Sequence, residues 1–160
     1  MPARDVPARP VESLTDPVAA FIEAACVPRT ESHGSGTLEH AEMILARYPQ
    51  VARSSIHVAA ILADEATVRG FLERDPITAT AKGGPYGWDA LTHLCFSRYL
   101  RLDAARSDSF VRTARALLDA EANANTGWYE TIDHLNPEAA VRERDLWNPR
   151  ERGAPHWLLR

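Results

Sequence analysis

Only two cysteines occur among the 160 residues, and no apolar run approaches the roughly 20 residues a membrane-spanning helix needs. Cys26 and Cys95 sit among apolar neighbours in different helical patterns. They read first as reduced, buried small hydrophobes, ahead of a disulfide or a reactive thiol. The chain also lacks an excess of positive charge. Its 18 basic and 22 acidic residues give a net charge of -4, which argues against nucleic-acid binding through a broad basic field. Met1 to Pro10 has no apolar stretch of the kind that builds a secretory leader, so a cytoplasmic location is the default expectation. Nucleotide loops, paired-cysteine metal motifs and His-x-x-x-His pairs are missing as well. The six histidines (His33, His40, His57, His93, His134, His156) have no spacing that defines a metal site. No cofactor, metal, nucleic acid or membrane partner is expected.

What is present is enough apolar content, 45%, for one modest core. Residues 1–15 carry Pro2, Pro7 and Pro10 without a durable period and read as a flexible N-terminal arm. Asp16 is placed to cap a helix that opens on Pro17 and continues through Phe21, Ile22, Ala24 and Ala25. Thr37 is the next cap candidate, before a helix over Glu39 to Leu45 that stops near Pro49. Ser54 or Ser55 starts a short helix through Leu62. Asp64 caps another, through Val68, Phe71 and Leu72, ending before Pro76. A third pair runs from Asp89 to about Tyr99 and from Ser109 to Ala120. In it Phe110, Val111, Ala114, Leu117 and Leu118 are expected to face inward.

The pairs Ala24-Ala25, Ala59-Ala60 and Leu94-Cys95 recur at an offset of 35 residues. Stacked first helices need such an offset, because small side chains set how closely they approach. The second helices are less regular, since the connections within the first and third units are long and that within the second is tight.

Within the third unit, Gly87-Trp88-Asp89-Ala90-Leu91-Thr92-His93-Leu94-Cys95 resembles the ankyrin opening, a turn followed by Thr-Pro-Leu-His and two small residues. Leu117-Leu118-Asp119-Ala120-Glu121-Ala122-Asn123-Ala124-Asn125 is similar to that family's Leu-Leu-x-x-Gly-Ala-x-x-Asn ending. The resemblance spans roughly Asp16 to Gly127 and is specific only in its last third. It implies an all-α fold, a short ankyrin-like stack of about three helix pairs over residues 16–127. A divergent capping or interaction extension follows over 128–160. Two departures stand out. Glu121 takes the family's glycine, where a left-handed backbone would cost about 1 kcal/mol or more, so that helix end is expected to be remodelled. The segment Arg98 to Ser109, with Arg98, Arg101, Asp103, Arg106 and Asp108, is an insertion too polar for a core and suits a recognition loop.

The resemblance implies a protein-protein interaction or scaffold module that holds a partner on its concave face and inter-helix insertion. Mapped here, the partner-binding residues are Tyr86, Trp88, Asp89, His93, Arg98, Tyr99 and Arg101, continued by Trp128 and Tyr129. For Trp88, packing of the turn weighs more than a contact role. One alternative is a homo-oligomer paired through Trp147, Trp157 and Leu158, residues that otherwise cap the stack. The other is a small enzyme with a cleft between Trp88 and His134. There Asp89 or Glu130 would act as base and His134 as acid, with His93 beside them. Asp89 is already explained as a helix cap, and Gly83-Gly84-Pro85 as a structural turn without the Lys-Ser/Thr sequel of a phosphate loop.

Overall fold

The computed structural model describes residues 14–27 and 36–125. All of them fall in the first of two compact units, Met1–Thr126. Among the described residues seven α-helices form, with no strand and only two isolated bridges. Helix α1 (Pro17–Ala25) has Asp16 as its N-cap, whose Oδ1 accepts from the Ala19 amide at 3.0 Å. Helix α2 (Glu39–Arg47) starts differently from expectation. Leu38 occupies the cap position and supplies no side-chain bond, so Thr37 is not the cap.

Helix α3 (Ile56–Ile61) starts on Ser55, whose Oγ accepts from the Val58 amide at 3.2 Å. Helix α4 (Glu65–Arg74) starts on Asp64, which takes both the Thr67 amide at 3.1 Å and its hydroxyl at 2.7 Å. The connection between them needs no glycine. Ala63 adopts φ 53°, and the Asp64 and Ala63 amides return to the carbonyls of Ala59 and Ala60, closing α3 in a Schellman motif.

Helix α5 (Ala90–Cys95) is shorter than expected, ending four residues before Tyr99. The break has a physical cause. The Phe96 carbonyl is drawn to the Val27 amide at 2.9 Å, and Cys26 pairs with Ser97 in an antiparallel bridge. Ser97 then donates its hydroxyl to the Ile61 carbonyl at 2.7 Å and caps a new helix, α6 (Arg98–Leu102). The insertion is therefore not a loop. It holds α6 and a 3-10 turn (Ala104–Arg106), and its Tyr99 belongs to the core.

Helix α7 (Ser107–Asp119) buries Phe110, Thr113, Ala116 and Leu117. Val111 and Leu118, expected inward, are 50% and 43% exposed. They lie seven residues apart on one stripe, and a single step along a helix turns a side chain by about 100° away from its neighbour. Cys95 also departs from expectation, being exposed, while Cys26 is buried and both are free. Burial pushes the Cys26 thiol up to about 12, partly offset by Arg98.

At Glu121 the helix end is kept rather than remodelled. Its φ is 67°, and the Ala122 and Glu121 amides bond to the carbonyls of Leu117 and Leu118 at 3.0 Å each. This is the geometry that ends α3, with a glutamate in place of the alanine.

The helices pack in order. Helix α3 lies between α1 and α5, and packs on α4; α7 packs on α4 and α5. Every residue of α3 is buried, as expected of an element with neighbours on several sides. The Glu65 carboxylate joins α4 to α7 by accepting from Arg112 at 3.1 Å while also holding Arg69 at 2.9 Å. No helix among the described residues is long and apolar enough to cross a membrane.

Candidate functional site

The segment before α5 folds as a tight turn across the first helices. The Gly83 amide donates to the Trp88 carbonyl at 3.0 Å and the Gly87 amide to that of Gly84 at 3.2 Å. Gly84 and Gly87 both take the left-handed backbone, with φ 72° and 63°. Glycine is also required for space. A Cβ on Gly83 would meet His57 Cε1 at 2.7 Å, and one on Gly84 would meet Ile22 Cδ1 at 3.1 Å and His93 Nε2 at 3.3 Å.

Beneath the turn lies an aromatic cluster. Tyr86 stacks on Trp88 with ring centroids 4.5 Å apart, and Trp88 continues to Phe96 at 5.1 Å and His93 at 5.5 Å. His93 in turn meets His57 edge-on at 5.1 Å. Two hydrogen bonds orient this pair. His57 Nε2 donates to the Ala81 carbonyl and His93 Nδ1 to that of Asp89, each at 2.8 Å. The Asp89 carboxylate is occupied as the α5 cap, accepting from the Thr92 amide at 2.8 Å. His93 is fully buried, and its Nε2 finds no hydrogen-bond partner. Burial holds its pKa down at about 4, with the His57 charge acting in the same direction.

Comparison with protein-family models, curated proteins and solved structures returned no match.

The expected contact residues therefore divide. Trp88, at 9% exposure, is buried together with Asp89, His93 and Tyr99. Tyr86 and Arg98 are half-buried, and Arg101 is exposed. Trp128, Tyr129, Glu130, His134, Trp147, Trp157 and Leu158 lie outside the described residues. Of the four acid/base candidates, the structure brings Asp89 and His93 together. Their contact is a ring N–H on the backbone carbonyl that also accepts the His93 amide in the ordinary i to i-4 helix bond, and Asp89 spends its carboxylate on the cap. Among the described residues no three or more His, Cys, Asp or Glu side chains gather in a form able to hold a metal ion.

Helix α6 is tied to its neighbours by several side-chain contacts. Its Tyr99 is buried and donates its hydroxyl to Glu42 Oε1 on α2 at 2.6 Å. Burial and the adjacent Glu42 carboxylate push the phenol above its ordinary pKa. The Arg106 guanidinium covers the Tyr99 ring at 4.8 Å, bonds Asp103 at 2.8 Å and donates to the Leu62 carbonyl at 2.9 Å. In α6, Leu100, Arg101 and Leu102 are exposed, the leucines at 38% and 42%. Sequence reasoning named Arg101 but passed over the two leucines. Their position directly beside a large aromatic in a capped five-residue segment was the available signal.

Proposed function

We propose that this domain is a protein-interaction or scaffold module of ankyrin-like build, and that it docks a partner protein on the exposed residues of α6. The fold-level part rests on helix order and local sequence. First helices α1, α3 and α5 neighbour one another, as do second helices α4 and α7, and a tight turn precedes α5. The middle unit adds Ser54-Ser55-Ile56-His57-Val58-Ala59, similar to the family's Thr-Pro-Leu-His-x-Ala opening. Fold alone does not specify function, so the binding reading must stand on a site.

That site is α6, and the observation that carries the reading is its anchoring. A short helix with exposed leucines on either side of an arginine is fixed from beneath by Tyr99 and Arg106. Side chains held in place before contact lose little freedom on binding, and an apolar pair beside a guanidinium suits an interface core. The contact reading thereby moves from the first helices and Trp88 toward the insertion, with Tyr86 and Arg101 retained from the sequence expectation.

The test is a comparative capture from the source cell using the full chain, Leu100→Ser/Leu102→Ser, and Ile77→Ser as a surface control. Ile77 is a large hydrophobic residue, 74% exposed, in the 3-10 turn Pro76–Ala79. A partner retained by wild type and control but lost at least tenfold by the double variant, at unchanged thermal stability, supports the reading. Equal capture by all three proteins overturns it.

The homo-oligomer reading is favoured by one observation, the exposed Val111 and Leu118 stripe on α7. Light scattering against concentration decides it, and a mass that stays at one chain removes it.

A further inference from the structure

We propose that His57 and His93 form an acid-sensitive latch under the Gly83–Trp88 turn, so that protonating His93 releases the turn and uncovers Tyr86 and Trp88 while the helices stay folded. The inference is independent of the α6 binding reading. It starts from the turn's attachments. Ala81 is tied to α3 by the His57 Nε2 bond at 2.8 Å, and the two glycines sit against the imidazoles closely enough that a methyl group would not fit at Gly83. Both histidines therefore face the turn that they hold.

His93 decides the direction of the response. Its Nδ1 already donates to the Asp89 carbonyl, so an added proton must go to Nε2. That atom is buried without an acceptor and faces Gly84, where a Cβ would lie 3.3 Å away. A new N–H there is an unpaired donor carrying charge in an apolar site, which is strongly unfavourable until water reaches it. The ionisable groups that act on the ring are His57, across the 5.1 Å ring contact from α3, and Asp89 at the start of α5. Asp89 favours the charged form, and a protonated His57 opposes it. Helix α7, also packed on α5, brings no charge to bear on it among the described residues, and α1 presents Ile22. Among the described residues the carboxylate that acts on His93 is that of Asp89, already engaged by the Thr92 amide, and Nε2 has no acceptor, so the least disruptive route for water is displacement of the turn. The turn's own backbone closes through Gly83 to Trp88 and Gly87 to Gly84, whereas α3 and α5 belong to the buried core. Segments with few such ties open at lower free energy than the whole fold.

Amide hydrogen exchange on the full chain, followed by NMR from pH 7 to pH 4 and expressed as protection factors, tests this. The Gly83 and Gly87 amides and the Trp88 indole N–H should lose protection at least tenfold across that range, while Val58, Ala60 and Leu117 keep theirs. His93→Gln should flatten the response. His57→Gln retains a donor for the Ala81 carbonyl but removes a neighbouring charge, and should move the midpoint up by roughly one pH unit. Loss of turn and core protection together, a turn that stays protected at pH 4, or an unchanged response in His93→Gln overturns the proposal. If His93→Gln does not fold, the His57→Gln midpoint decides: an upward shift supports the latch and an unchanged or lower one overturns it.

Discussion

One helix of the middle pair, α3, and one of the last pair, α7, end in the same Schellman geometry but occupy different surroundings. In the middle pair, α3 passes to α4 within three residues and is buried throughout, with α1 on one side and α5 on the other. In the last pair, α5 and α7 are separated by α6 and a 3-10 turn, and α7 leaves Val111 and Leu118 exposed. The difference follows from neighbours. Helix α3 has neighbours on several sides, so its periodicity disappears into a continuous apolar run. Helix α7 packs on α4 and α5 through one stripe, and among the described residues nothing covers Val111 and Leu118. The insertion supplies what the last pair lacks in compactness, since Tyr99 and Arg106 reach back to Glu42 and Leu62.

The largest test of that comparison removes this connection. Tyr99→Ala should destabilise the domain by about 3–5 kcal/mol, as expected for deleting a buried aromatic, whereas Tyr99→Phe keeps the ring and should cost only about 1 kcal/mol. Urea unfolding at neutral pH measures both. If Tyr99→Ala unfolds no more readily than Tyr99→Phe, the insertion is an attachment to the last pair and not part of its core.

A second effect sets the buried turn contact against the exposed end. Neutral His93 is preferred in the fold, with a pKa of about 4 against 6.5 for the ordinary side chain. The unfolded chain therefore binds the proton first. The contribution of this group is fully present above about pH 6.5, declines as pH falls, and levels off below about pH 4. Its full size is about 3 kcal/mol. Thermal or urea unfolding between pH 7 and pH 4 should show that loss in wild type and not in His93→Gln. Release of the turn would make the observed loss smaller, because an open turn lets the folded chain take up the proton with less penalty.

Much of this architecture was legible in particular residues. Asp16, Asp64 and Asp89 each cap the helix expected of them, since an acceptor just before an apolar period has a specific local purpose. The 35-residue offset anticipated the neighbouring first helices. What escaped was set by distant contacts. Helix α5 ends early because Val27 and Cys26, some seventy positions away, engage Phe96 and Ser97. The exposure of Val111, Leu118 and Cys95 depends on which described elements pack on their side, and composition does not record that. The His57–His93 contact was missed because it joins two helices, α3 and α5, far apart in the sequence. Yet the offset that places Ala59-Ala60 against Leu94-Cys95 would have brought His57 near Thr92 and His93.

The smallest prediction compares the two Schellman ends directly. Ala63 and Glu121 both hold a left-handed backbone that an L side chain resists, at φ 53° and 67°. Replacing either with glycine relieves that conformation, although glycine also loses more freedom on folding. Glu121 is exposed, so its side chain contributes little packing that the substitution would remove. Glu121→Gly should therefore raise stability by roughly 0.5–1 kcal/mol. Ala63 is buried at 5% exposure, and its methyl group belongs to the core cluster. Loss of that methyl costs about 0.8 kcal/mol, close to the conformational gain, so Ala63→Gly should change stability little. Paired urea denaturation of the two variants resolves the difference. Stabilisation at Ala63 equal to that at Glu121 would mean that the buried methyl adds nothing, and that the two helix ends are equivalent despite their surroundings.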